Sequence, residues 1–165
     1  MKKLCFTTMI AVFILLFTNG LQAQTSQATL NQVELMKQFL GNWKCEVGKD
    51  TVVFWNARPY GTGFEVDYVT STKGNLIMEA KQLFGYDRKT DKYLAANMIK
   101  GFDIEIWALW FISDKNFELM PSSDISNPEK AIMKVKGEFK SPDVYVETII
   151  VNNEPVKTYT YTLMK

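Results

Sequence analysis

The chain has 165 residues with 19 basic and 18 acidic side chains, a formal charge of +1, and no histidine. Without histidine there is no Ser-His-Asp or Cys-His machinery, no histidine-bound zinc and no histidine-ligated haem, so acid–base chemistry falls to carboxylates, lysines and tyrosines. Arg58 and Arg88 are the only arginines, and no stretch gathers basic residues on one face. That argues against nucleic acid as a partner, because phosphate binding needs a concentrated basic footprint.

The N-terminus carries Lys2 and Lys3, then an apolar run from Leu4 to Phe17 interrupted only by Thr7 and Thr8, then Leu21-Gln22-Ala23. A basic start, an apolar core and a small residue at the cut predict a secretory signal peptide over 1–23. The run falls short of the roughly 20 apolar residues of a membrane span. The expectation is therefore a protein of the periplasm or the exterior with no membrane span after cleavage. Cys5 precedes the apolar core and cannot be the acylated cysteine of a lipoprotein. Removing 23 residues from 165 leaves a 142-residue chain, 24–165, long enough for one domain with its own core. Loss of Lys2 and Lys3 takes the formal charge from +1 to −1. Cys45 is then the sole cysteine, so no intrachain disulfide can form, and a small buried hydrophobe is its expected role.

After a polar stretch at 25–29, Leu30, Val33, Met36 and Leu40 recur at helical spacing, with Asn31 placed to cap. Gly41 stands where a helix end favours a left-handed residue. Beyond it the pattern is strand and turn. "WKCEV" leads through Gly48-Lys49-Asp50 to "TVVFW", and a break is expected over Asn56–Gly61 because of Pro59. "TGFEVDYVTST" alternates, Lys73-Gly74-Asn75 turns, and "LIMEAKQLFGY", "KYLAANMI", "DIEIWALWFI" and "FELM" follow with short connections. A polar break at 121–130 precedes "AIMKVKGEF", "VYVETIIV" and "VKTYTYTLM". About ten short strands joined by hairpin-length turns predict an all-β, antiparallel up-and-down barrel, since closure removes exposed edges. A flat sandwich is the alternative.

A short helix, Gly41-Asn42-Trp43 opening the first strand, and a meander of hairpins resemble the calycin group of lipocalins and fatty-acid-binding proteins. "FLGNWKCEV", "LFGYDRKTDKYLAANM" and the closing "YTYTLMK" are similar to a bacterial secreted lipocalin-like family of uncharacterised function, over about 35–165. The resemblance implies that Gly41 and Trp43 close one end of the barrel beneath a ligand space. In many lipocalins an arginine of the last strand packs over that indole, and fatty-acid binders hold the carboxylate with a late Arg-x-Tyr pair. The last strand here has no arginine, so neither feature carries over. Haem binding through histidine does not carry over either.

Candidate ligand contacts follow from the strand faces. Phe64, Tyr68 and Met78 lie on apolar rows, and Tyr159 and Tyr161 share one face of the last strand opposite Thr158, Thr160 and Thr162. "IEIWALWFI" is apolar on both faces apart from Glu105, so one face is covered: by the N-terminal helix, by a second copy in a homodimer, or by a ligand. One tryptophan of the pair Trp107 and Trp110 is expected at the cavity, with Trp110 the candidate. Arg58, in the Pro59 break, is placed near a mouth where an anionic ligand would enter. Glu65 and Asp67 could pair for acid–base work or calcium, but a solvated outer face is the simpler reading. No catalytic set, metal site or cofactor is expected. The leading expectation is a barrel binding a small apolar or amphipathic ligand. The alternatives are a packed barrel acting as a protein-interaction module, and an isomerase- or cyclase-type enzyme, which would need a buried carboxylate or lysine projecting into the cavity.

Overall fold

The computed structural model describes residues 30–165, and the leader read over 1–23 lies outside them. Helix α1 spans Gln32–Met36, and a single 3-10 turn, Lys37–Phe39, continues it. The Asn31 side chain accepts from the Glu34 N–H at 3.2 Å, as the capping pattern requires. A helix this short is not stable alone. It is held by docking: the buried Gln32 amide donates to the Phe111 carbonyl at 2.9 Å and accepts from the Phe111 N–H at 2.8 Å. Met36 and Phe39 are the pair it buries fully, each 1% exposed.

Ten strands follow: β1 Gly41–Glu46, β2 Thr51–Tyr60, β3 Gly63–Thr72, β4 Asn75–Asp87, β5 Lys92–Ile99, β6 Glu105–Phe111, β7 Asn116–Pro121, β8 Met133–Ser141, β9 Val144–Val151 and β10 Glu154–Leu163. Each pairs antiparallel with its neighbour in sequence, and β10 pairs with β1 to close the barrel. Tight turns set the register of two hairpins. Lys73-Gly74 and Asn152-Asn153 both adopt positive φ at both positions, the geometry whose twist matches the flanking strands.

The break expected over Asn56–Gly61 is instead strand as far as Tyr60. β1 pairs with β2 only up to Ala57, so Pro59 lies where that side of β2 has no β1 neighbour and its missing N–H costs no ladder bond there.

Gly41 opens β1 at φ +123°, and a Cβ there would meet Leu163 Cδ1 at 2.7 Å. The chain can therefore swing from the 3-10 turn into the sheet against β10. Trp43 follows, 0% exposed, and its indole N–H donates to the Phe39 carbonyl at 2.8 Å. The indole packs on Tyr145 with ring centroids 4.8 Å apart and on Phe139 at 6.2 Å. Aromatic rings from within the barrel thus cover the indole.

Phe39 enters the same end of the barrel. Its ring lies 4.9 Å from Phe117, 5.0 Å from Phe139 and 5.5 Å from Trp55 and Tyr145, mostly edge to face. Phe117 lies against the bare backbone of Gly137, where a Cβ would come within 1.9 Å of the ring. This aromatic packing fills the lower half of the barrel, the half at which α1 sits.

On β6 the inward row is Trp107, Leu109 and Phe111. The outer row is covered only around Ala108, with Ile104, Ile106 and Ile112 exposed, and α1 meets β6 at Phe111 rather than over that row. Ala108 and its cross-strand partner Met120 point outward yet are fully buried, as is Ala131. The connection between β7 and β8 folds back over β6 to cover them. Cys45 is buried within β1, and burial pushes its thiol up, so it serves as a small hydrophobe.

Phe39→Ala is expected to lower unfolding stability by about 3–5 kcal/mol, because it removes the ring on which Trp55, Phe111, Phe117, Phe139 and Tyr145 converge. Denaturant unfolding followed by tryptophan fluorescence measures the loss.

Candidate functional site

Above the aromatic plug the interior opens into two adjoining chambers. The deeper one holds about 150 Å³, with Phe39, Phe84, Leu109 and Tyr145 among its walls. The outer one holds about 280 Å³ and reaches toward the mouth past Met78, Ile99, Met133 and Ile149. Five side chains line both: Tyr68, Gln82, Asn97, Glu147 and Tyr161. They come from β3, β4, β5, β9 and β10, so only closure of the sheet brings them together.

Glu147 is the unusual member. It lies on the inward row of β9 between Tyr145 and Ile149 and directly opposite Tyr159 of β10. Its carboxyl has no ion-pair partner among the described residues, and burial alone pushes its pKa up to about 7. The side chain is half-buried by surface, but the surface it shows faces the chambers. No lysine or arginine lines either chamber.

Gln82 and Asn97 are oriented by a chain of hydrogen bonds. The Trp55 indole N–H donates to Gln82 Oε1 at 3.0 Å, and Gln82 Nε2 donates to Asn97 Oδ1 at 3.3 Å. Tyr161 stacks on Tyr145, centroids 4.6 Å apart and planes 10° from parallel. Burial pushes the phenol pKa values of Tyr68, Tyr145 and Tyr161 upward, so all three stay neutral hydrogen-bonding groups at physiological pH.

The residues singled out from the sequence divide. Tyr68 and Tyr161 line both chambers, and Met78 and Tyr159 line the outer one. Phe64 faces inward but lies lower, stacked on Phe84 at 4.3 Å, and it borders a separate cleft of about 310 Å³ between α1 and the β2–β3 turn. Trp110 is on the outer face, with the Lys92 ammonium 4.0 Å over its ring. Trp107 is the tryptophan that lines the cavity, its indole N–H donating to Glu105 at 3.0 Å. The parity of β6 decides this, and Phe111 in the plug sets that parity.

Arg58 is also outside, near the closed end rather than the mouth. It is tied to Glu65 and to Asp67 at 2.7 Å, while Lys81 reaches Asp67 at 2.7 Å and Glu65 at 3.2 Å. These four charges form a cross-strand network on the outer face of β2, β3 and β4, where the salt bridges hold both carboxyls below their usual range. No group of three or more metal-ligating side chains occurs among the described residues, and no described helix is long and apolar enough to cross a membrane.

Glu147, Gln82 and Asn97 are the site residues that sequence reasoning passed over, whereas Trp107 was one of the pair from which a single cavity tryptophan was expected. A signal existed for Glu147: it interrupts the row Tyr145, Ile149, Val151. The opposite row of β9 is also apolar, however, so the sequence leaves open which row faces inside.

The carboxyl predicts a pH dependence. Its folded-state pKa of about 7 exceeds the ordinary value of 4.5, so the native state holds a proton that the unfolded chain has lost. Stability is thus undiminished below about pH 4.5, falls as pH rises to about 7, and carries the full penalty above that. Unfolding curves of the wild type and Glu147→Gln should diverge across this window, with the variant more stable at the alkaline end by up to about 3 kcal/mol.

Comparison with protein-family models and with curated proteins finds no match to this chain.

Proposed function

We propose that the protein is an exported, lipocalin-like binding protein that takes a small, largely apolar ligand into the barrel. The observation that carries this reading is the pair of adjoining chambers walled by aromatic and aliphatic side chains with a few converging polar groups, the usual make-up of a small-molecule site. Export to the periplasm or beyond is supported by the N-terminal pattern of Lys2, Lys3 and the apolar run to Phe17. Kinship with the calycins is supported by Gly41-Asn42-Trp43 at the closed end and by the up-and-down closure of the sheet. The plug leaves the upper barrel unfilled, which weighs against a packed barrel acting only through its outer surface.

The chambers are modest, so the expected ligand is small. Burial of its apolar surface contributes roughly 25 cal/mol per Å², less the cost of association. Native mass spectrometry of protein purified from its own host should show a co-purified small molecule, and it reports oligomeric state in the same spectrum. Ala80 lines the outer chamber. Ala80→Phe should weaken binding of a fluorescent apolar probe about tenfold or more, whereas Thr160→Phe, on the outer face, should leave it unchanged. Equal binding by all three proteins would place the probe elsewhere and remove the support for an internal site.

A second reading has one specific observation in its favour. A lone carboxyl with a pKa near 7 inside an apolar chamber is the group an isomerase would use to move a proton. If it does so, an enolisable apolar ketone incubated with the protein in heavy water will take up deuterium, and Glu147→Gln will abolish the uptake. Absence of uptake across a panel of such ketones leaves binding as the function.

A further inference from the structure

The chambers have a charge preference as well as a size, and the groups that line them indicate which ligands fit. Resting on the binding function proposed above, we infer that the ligand is an organic cation, a protonated amine on a small apolar or aromatic body, with its ammonium paired to Glu147 and faced by the tyrosines of β3 and β10.

Three independent features converge on this. The first is the unmatched carboxyl. Glu147 lines both chambers, yet the ion pairs of the described residues are all made by other acids. A buried acid without a partner is costly to retain, and a ligand that brings the counter-charge relieves the cost.

The second is what is missing around it. Neither chamber is lined by a lysine or an arginine, so an anionic head group would meet a carboxyl and no cation. Lys157 is the nearest basic side chain along the inward row of β10. It is exposed at the mouth and lies over the outer ring of Tyr159, 5.1 Å from its centroid.

The third is the aromatic setting. Tyr159 stands directly across from Glu147, with Tyr161 next on the same row and Tyr68 on the opposite wall. Ring faces attract ammonium groups, most strongly where water is excluded. The contact between Lys157 and Tyr159 shows that one of these faces already accepts a cation. Gln82 and Asn97 add neutral polar groups that can bind an amine N–H without opposing its charge.

The test uses three probes of similar size and different charge: 2-phenylethylamine, 2-phenylethanol and phenylacetate, titrated at neutral pH by calorimetry into the full folded protein. The expected order is amine first, alcohol weaker and acid without measurable binding. Glu147→Gln should lose about tenfold to a hundredfold in amine affinity and keep its alcohol affinity, the range expected for a charge-assisted pair. Tyr159→Leu should weaken the amine several-fold more than it weakens the alcohol. Alcohol or acid binding as tightly as the amine would overturn the charge assignment while the internal site stands. If no probe binds, the charge assignment falls, and the fluorescent-probe comparison with Ala80→Phe shows whether the binding function falls with it. Amine binding that survives in Glu147→Gln would also overturn the proposal.

Discussion

One hydrogen bond organises this barrel. The Trp43 indole donates to the Phe39 carbonyl at 2.8 Å, and in doing so it locks the 3-10 turn against the first residues of the sheet. The bond fixes where the Phe39 ring points, and that ring is the centre on which Trp55, Phe117, Phe139 and Tyr145 converge. A buried indole N–H needs a partner, and a carbonyl at the end of a short helical segment has none of its own to give up. The two unmet requirements are satisfied by each other. With no disulfide to staple 136 described residues, closure of this end rests on such packing.

The plug also decides what is left over. Aromatic side chains fill the lower half of the barrel densely, so the unfilled space is pushed toward the mouth and divided into two modest chambers. The polar residues around those chambers are not scattered. Trp55, which belongs to the plug through its edge contact with Phe39, also holds Gln82 through its N–H, and Gln82 holds Asn97. Closure and site are therefore one mechanical unit: a shift of the plug would be transmitted to the amides through a single indole. Glu147 stands apart from this chain of bonds, and its isolation gives the chambers their chemistry. Natural interiors rarely keep an acid without a partner, and where they do the group is a candidate for function.

The reading of faces shows where pattern suffices and where it fails. The alternation of β3 and β10 was plain because one row is apolar or aromatic and the other is charged or threonine-rich, and Tyr68, Tyr159 and Tyr161 turn inward as that contrast requires. β6 and β9 are apolar on both rows, and there the pattern has no contrast to offer. Trp110 stood as the candidate on β6, but Trp107 takes the interior, because the row containing Phe111 is drawn to the plug; of the other row Ala108 is fully buried, while Ile104, Ile106 and Ile112 are exposed. Arg58 failed for a different reason. Proline suggested a break, but on a half-paired strand it is tolerated, so Arg58 stays on a regular outer face and joins Glu65, Asp67 and Lys81.

Taken alone, the sequence determined the class of fold, the approximate number and order of strands, and the cap at Asn31. These depend on local periodicity, on turn residues and on the exclusions that composition imposes. Only the tertiary structure decided which rows of β6 and β9 face inward, that Phe39 enters the barrel, and that Glu147 meets Tyr68, Tyr159, Gln82 and Asn97 in one space. The reason is physical: strand parity has period two and is blind to which side is the core when both rows are apolar. Residues from β3, β4, β5, β9 and β10 become neighbours only through closure, a long-range event that no local stretch of the chain encodes.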